Sequence, residues 1–456
     1  MDAIPPSLYL GWVAPGNPLL VGNWLAFSSR EVVGESTGSP SGAQLSEVRR
    51  PHGSLGPLPA IVAVTIAGVA AFLNLYITQP LLPLLIRLFG VSEATAGMTI
   101  SASTLGVAFA APLAGILAEK VGRRRVIVAS TFLLALPTVL AATSSSLNVL
   151  IFWRFLQGLL MPGIFGVTIA YITEEWAPDQ VTTVMSIYVS GSVIGGFMGR
   201  VISGMAATHA LIPGMEPSWK SGFAFVAALD IVCGIFLLRW LPADHRHTHE
   251  MRHEGLQQVL EHLRNTRLVA TYAAGFSILF TLVAIFTYIT FHLAAEPYLL
   301  SPAELSWLFV VYLVGVFVTP IAGIWMRHVG PKKALLVAVV IGLFGALNTL
   351  SNAVGWILVG LILCSCAVFV CQSACTSYIG QAAPPGSRSS AAGLYVCFYY
   401  IGGCVGGVLP GYFWPWGGWK ACIFVVLIVQ VITFAVTAIG WKNVHPVLPA
   451  EESILP

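Results

Sequence analysis

Three charged residues interrupt long apolar stretches of this chain: Arg154, Arg200 and Asp230. A charge at the centre of a bilayer costs roughly 2.5–3.5 kcal/mol on insertion scales, so an intramembrane charge is a functional candidate by default. Asp230 stands near the middle of its run, between Leu229 and Ile231. A carboxyl group at that depth can take up and release a proton as access to it alternates, which makes Asp230 the first candidate for a proton carrier. Arg154 lies about a turn into its run and Arg200 toward the far end of its own. A static pair between Asp230 and an arginine such as Arg200 is the structural alternative.

These residues matter only if the runs around them cross a membrane, and composition says that they do. Of the 456 residues, 57% are hydrophobic and 9% charged, with a mean hydropathy of +0.84. Soluble domains carry roughly 25% charged residues. No basic patch with interleaved aromatics is present, so nucleic acid is not an expected partner. The eight cysteines all fall in apolar runs without a CxxC pair, so they read as small buried hydrophobes rather than metal ligands or disulfides. No metal and no cofactor is expected. The sequence has no HExxH, GxSxG or phosphate-binding loop, which argues against an enzyme and against direct ATP drive.

Twelve apolar runs are each long enough for a membrane helix: 59–83, 94–118, 125–142, 149–172, 181–207, 219–241, 267–293, 303–326, 333–351, 355–379, 389–414 and 419–440. Basic residues concentrate in alternate connections, at Arg49 and Arg50, Lys120 to Arg125, Arg246 to Arg264, Arg327 to Lys333, and Arg388. The positive-inside rule places those connections and both termini in the cytoplasm. Residues 1–57 read as a flexible tail, 58–241 as the first six spans, 242–266 as a cytoplasmic linker, 267–441 as the second six, and 442–456 as a second tail. In the linker, Leu256, Val259, Leu260 and Leu263 follow the spacing of a helix lying on the membrane surface. His245, His247 and His249 alternate there as part of a solvated segment.

Two strings repeat across the halves. Gly115–Arg125, GILAEKVGRRR, returns 208 residues on as Gly323–Lys333, GIWMRHVGPKK, and both follow a Pro-x-Ala-Gly step. Tyr171, Pro178, Tyr188, Gly195 and Gly199 return as Tyr378, Pro385, Tyr395, Gly402 and Gly406. Two separate matches at nearly one offset predict two parallel six-span halves. The fold expected is an all-α membrane protein of twelve transmembrane helices in two pseudo-symmetric six-helix bundles. Within the basic turn, Glu119 is placed to sit at a helix N-terminus. Arg123 and Arg124 are placed to pair with Glu174, Glu175 or Asp179, a cluster that would latch an outward-facing state. Gly115, Gly122, Gly323 and Gly330 hinge the two turns.

The string Gly115 to Arg124 resembles the signature loop of the major facilitator superfamily, with Glu119 where the family usually has Asp. Its second copy departs further, at Arg327 and Pro331. Arg154-Phe-Leu-Gln157-Gly158 resembles the fourth-span motif, whose arginine is linked in the family to proton coupling. Gly191-Ser-Val-Ile-Gly195-Gly196-Phe-Met-Gly199-Arg200 resembles the glycine-rich span-five motif of proton-driven exporters, with Gly196 replacing Pro and Arg200 a closing Gly. With Tyr76 to Pro83 in span one, the chain resembles the twelve-span drug and sugar efflux branch of bacterial inner-membrane transporters. The resemblance implies that spans one, four, seven and ten line a cavity. On those spans the polar candidates for substrate contact are Asn74, Thr78, Gln79, Arg154, Gln157, Tyr288, His292, Gln372 and Thr376. It further implies a monomeric transporter whose partners are a small molecule, protons and the lipid bilayer. Proton symport or facilitated import is the alternative, and a receptor that binds without flux is the rival of another class.

Overall fold

The computed structural model describes residues 57–211, 214, 216–244, 256–384 and 387–442. The expected terminal tails and the histidines at 245, 247 and 249 lie outside those residues. Ten helices of membrane-crossing length come first: α1 (Leu58–Phe89), α2 (Glu93–Val121), α3 (Arg123–Ala142), α4 (Leu147–Glu175), α5 (Pro178–Thr208), α6 (Trp219–Trp240), α7 (Thr266–Ala294), α8 (Pro302–Val329), α9 (Pro331–Asn348) and α10 (Val354–Ala382). An eleventh helix, Arg388–Gly440, leaves helical geometry at Gly417 and Gly418. Gly418 has φ +54°, a value that a side chain rarely tolerates. The break divides it into α11 (388–416) and α12 (419–440), giving the twelve crossings expected. Among the described residues there is no strand, and helices satisfy their backbone groups within the bilayer segment by segment. A short helix, Leu256–Arg264, is present in the expected linker.

The two halves repeat one packing scheme. A Cβ added to Gly195 would lie 2.4 Å from Val69 O, and one added to Gly402 would lie 2.0 Å from Phe276 O. The same pair of meetings recurs a turn on, at Gly199 with Leu73 O (1.9 Å) and Gly406 with Phe280 O (2.5 Å). Glycine thus lets α5 touch α1, and α11 touch α7, backbone to backbone. The span-five glycines Gly191, Gly195 and Gly199 all face α1, so their every-fourth spacing is a packing stripe.

The seam between the bundles is sealed at the end opposite the basic turns. There Ser101 Oγ donates to Cys404 O at 2.6 Å. A Cβ at Gly97 would meet Gly407 O at 2.0 Å, and one at Gly204 would meet Pro302 O at 2.4 Å. Gln79 Nε2 donates to Thr287 Oγ1 at 3.4 Å, two residues 208 apart that meet across the pseudo-twofold axis. Toward the basic turns, by contrast, a Cβ at Gly115, Gly323 or Gly393 would meet nothing within 4 Å.

This contrast is measurable. Gly199→Leu forces α5 off α1, an overpacking that costs about 1–3 kcal/mol or more, and it should lower the melting temperature of the purified protein. Gly115→Leu enters open space and should leave the melting curve in place. Equal losses in the two variants would contradict the packing described.

Candidate functional site

The site begins at a defect in α1. Pro80 has no N–H to offer Tyr76 O, and the chain tightens into a 3-10 turn at Gln79–Leu81. Gln79 N now donates to Tyr76 O at 3.0 Å rather than to Leu75 O, its partner in a regular helix. Leu75 O is thereby released inside the membrane and must find another donor.

Arg154 on α4 supplies it. Its Nη2 donates to Leu75 O at 2.5 Å and to Ser103 Oγ at 2.8 Å; Nη1 donates to Asn74 O at 2.7 Å and Gln157 Oε1 at 2.5 Å; Nε donates to Thr99 O at 3.1 Å. All five N–H groups of the guanidinium are used. The side chain is 0% exposed. Close approach of α2 and α4 makes this possible: a Cβ at Gly158 would lie 2.1 Å from Ser103 O, and one at Gly106 would lie 2.4 Å from Phe155 O.

From Arg154 a chain of side chains leads to Asp230. Gln157 Nε2 donates to Thr138 Oγ1 at 2.7 Å, Thr138 Oγ1 lies 2.9 Å from Asn74 Oδ1, and Asn74 Nδ2 donates to Asp230 Oδ1 and Oδ2 at 2.9 and 3.0 Å. Helices α1, α2, α3, α4 and α6 each contribute, and Asn74, Thr138, Gln157 and Asp230 are all buried. An ionised carboxylate only accepts hydrogen bonds; a protonated one keeps one free acceptor oxygen and gains a donor. Asn74 Nδ2 now meets both oxygens, so loading a proton on Asp230 costs it one of those two contacts and sets an O–H beside the α1 defect.

Arg200 on α5 belongs to a separate cluster. Its Nε donates to Gln79 Oε1 at 2.7 Å and Nη1 to Gly196 O at 2.6 Å. The rings of Tyr76, Phe309 and Tyr312 lie 4.6–4.7 Å from the guanidinium carbon. An Asp230–Arg200 pair, the structural alternative for these charges, does not form in this conformation: each takes a neutral partner on α1.

The other expected cavity residues disperse. Thr78 meets Thr99. Tyr288 Oη donates to Gly407 O at 2.9 Å and Val408 O at 3.2 Å within its own bundle. His292 lies at the far end of α7, stacked 6.0 Å from Trp419. Gln372 and Thr376 lie on α10, with Thr376 exposed and bonded to its own helix. Asn74, Arg154 and Gln157 are sealed in the network rather than lining open space. Thr99, Ser103, Thr138 and the ring cage of Arg200 carry no sequence signal of their own, because hydroxyls and aromatics are common on packed membrane helices.

The basic turns cap helices. Arg124 Nε and Nη2 donate to Leu241 O and Leu238 O at 2.6 and 2.7 Å, and Lys332 Nζ donates to Trp441 O and Ala438 O at 2.6 and 2.8 Å. Each cation satisfies the free carbonyls that end the sixth helix of its half. These twin caps align α6 with α12 at an offset of 200, which sets Asp230 opposite Gln430. Arg123 makes the expected ion pair with Glu174, with Nε 2.5 Å from Oε2. The carboxylate at the N-terminus of α3 is Asp244, which accepts from Arg123 N at 2.7 Å. Glu119 is exposed on the last turn of α2, so it does not take that place. The side chain of Asp179 lies outside the described residues.

Comparison with known proteins agrees with this architecture. The Major Facilitator Superfamily profile matches residues 64–299 and 287–453. The inner membrane transport protein YnfM of Escherichia coli (strain K12) is 30% identical over 393 residues, 85% of this chain and 92% of that protein. An uncharacterized transporter of Buchnera aphidicola subsp. Schizaphis graminum is 28% identical over 378 residues, 82% of this chain and 89% of that protein. A bacterial homologue of the human lysosomal transporter Spinster, solved in an inward-facing and occupied conformation, superimposes with a TM-score of 0.67 at 15% identity, covering 83% of this chain and 96% of that one. With its twelve crossings, its twinned basic turns and a profile match over most of its length, the chain belongs to the Major Facilitator Superfamily.

Proposed function

We propose that this membrane transporter is a proton-coupled exporter of a small organic molecule, working by alternating access in a bacterial inner membrane with its basic turns in the cytoplasm. One observation carries the reading: the buried acid Asp230 ends a hydrogen-bonded chain whose other end, Arg154, holds the α1 defect. Proton uptake at Asp230 unbalances Asn74, and Asn74 lies one residue from the carbonyl that the defect releases. The coupling thus runs from a titratable group to a deformable point in a helix at the seam. The sealed end of the seam is then the outer gate, and the conformation described is the one closed to the outside; because the Arg123–Glu174 pair is already formed in it, that pair is not by itself a latch on the outward-facing state. The twin bundles rocking about the seam supply the second state.

Transport of a compound found by thermal-shift screening of the purified protein provides the test. In proteoliposomes, Asp230→Asn should abolish flux driven by a pH gradient while sparing exchange of labelled for unlabelled compound. Unchanged gradient-driven flux would remove Asp230 from the mechanism. In energised inside-out vesicles an exporter accumulates the compound; loss of accumulation there would instead favour import by symport.

Arg154 should respond differently. Lysine has three donors at one point and cannot reach five acceptors on three helices. Arg154→Lys should therefore lower the melting temperature as well as transport, because stranded buried acceptors cost about 1–3 kcal/mol each. A stable Arg154→Lys protein defective only in coupling would contradict a structural role.

Gly97→Leu should hold the outer seam apart. A single cysteine at Ala94, in an otherwise cysteine-free chain, should then react faster with a membrane-impermeant thiol reagent added outside. No change in labelling rate would argue that the Gly97–Gly407 contact is not the gate.

A further inference from the structure

The two buried arginines differ in how completely they are satisfied. Among the described residues the ion pair is Arg123 with Glu174, so neither Arg154 nor Arg200 has a carboxylate partner. Arg154 uses all five of its N–H groups. Arg200 uses two, toward Gln79 and Gly196, and its Nη2 takes no hydrogen bond. The three rings around Arg200 stabilise the faces of the guanidinium, but they accept nothing from the N–H groups at its edge. Asp230 forms no ion pair with it and takes Asn74 instead. The seam therefore contains a planar cation, 3% exposed, with unspent donors and no counterion.

Around it stand hydroxyls in the same condition. Tyr76, Tyr312, Tyr399 and Tyr400 are among the described residues and none of their hydroxyls makes a hydrogen bond. Two further tyrosines, Tyr272 and Tyr395, have fully buried hydroxyls without partners. The rings continue as a wall: Tyr399 to Tyr400 at 5.4 Å, Tyr400 to Phe165 at 5.8 Å, and Phe165 to Phe72 at 5.7 Å. Helices α1, α4, α8 and α11 all contribute, so the wall belongs to both bundles. A ligand against it would touch both moving halves.

Resting on the transporter reading, we propose that the molecule carried is an organic monoanion with a flat aromatic body, its carboxylate taking the free edge of Arg200 and its ring lying against the tyrosine and phenylalanine wall. Guanidinium and carboxylate match as a planar two-point pair, and the idle tyrosine hydroxyls add donors to the same anion. A neutral or cationic molecule of the same shape leaves Arg200 uncompensated or repels it.

Three probes of one shape and three charges test this: benzoate, benzamide and benzylamine, titrated calorimetrically into the full-length protein in nanodiscs. Benzoate should bind at least ~10-fold more tightly than either of the others, a difference of about 1.4 kcal/mol. Arg200→Gln should erase that preference, Arg200→Lys should keep part of it, and Tyr312→Phe, which retains the ring, should weaken benzoate several-fold. If Arg200→Gln does not fold, the lysine and phenylalanine variants carry the comparison. Equal or weaker binding of benzoate, its absence, or its survival unchanged in Arg200→Gln overturns the anion site. Counterflow in proteoliposomes separates this from the transporter reading. Benzoate binding without flux overturns transport and leaves the anion site standing. Flux of a neutral or cationic compound indifferent to Arg200→Gln does the reverse.

Discussion

A guanidinium within a bilayer is costly unless the protein replaces its water. Arg154 meets that condition through an imperfection in a neighbouring helix. Pro80 removes one donor, the 3-10 turn redirects another, and the carbonyl of Leu75 is left without its helical partner. The defect and the arginine would each be expensive alone. Together they cancel, with Asn74, Thr99, Ser103 and Gln157 completing the shell. The helix is weakened at this place and held there by a charge, which makes the point stiff while the shell is intact and pliant when it is disturbed.

Asp230 is the group that can disturb it. The twofold relation of the halves sharpens this, because α6 and α12 align through their caps and the counterpart of Asp230 is Gln430. Gln430 is buried, and its Oε1 has no partner. The second half thus keeps the polarity of that position without its ability to ionise. Elsewhere the duplication is retained closely: glycines against α1 and α7, cations on the ends of α6 and α12, and tyrosines Tyr171 and Tyr378 bonded beside them. Symmetry supplies the frame, and one substituted position supplies the difference between its halves.

Much of the frame was legible in the sequence because it follows from solvent alone. Hydrocarbon admits long apolar helices and excludes the basic turns, so spans and connections could be read from hydropathy and charge. Glycine at four-residue spacing on α5 and α11 announced close helix contact. The ends of α1 were less legible: the run 59–83 closes at the prolines, yet the helix resumes to Phe89, since proline suits a first turn as well as it breaks an interior. The connections inside the site were not legible at all. Thr138 bonds its own helix at Leu134 O and also meets Asn74, 64 positions away, and no periodicity records such a partner. Asp244 replaces Glu119 at the start of α3 for a related reason: a charge near a helix end in sequence is weaker evidence than one delivered there by the segment that follows another helix. The ring cage of Arg200 likewise joins α1, α5 and α8, which only the tertiary fold brings together.

The five acceptors around Arg154 also constrain how the protein is made. They belong to α1, α2 and α4 itself, and no one of these helices could shelter the arginine in lipid. The fourth segment can leave the aqueous insertion channel at low cost only once the first two are waiting beside it. Synthesis from the N-terminus delivers the helices in that order, so the emerging chain brings Arg154 into the membrane with the lodging already built.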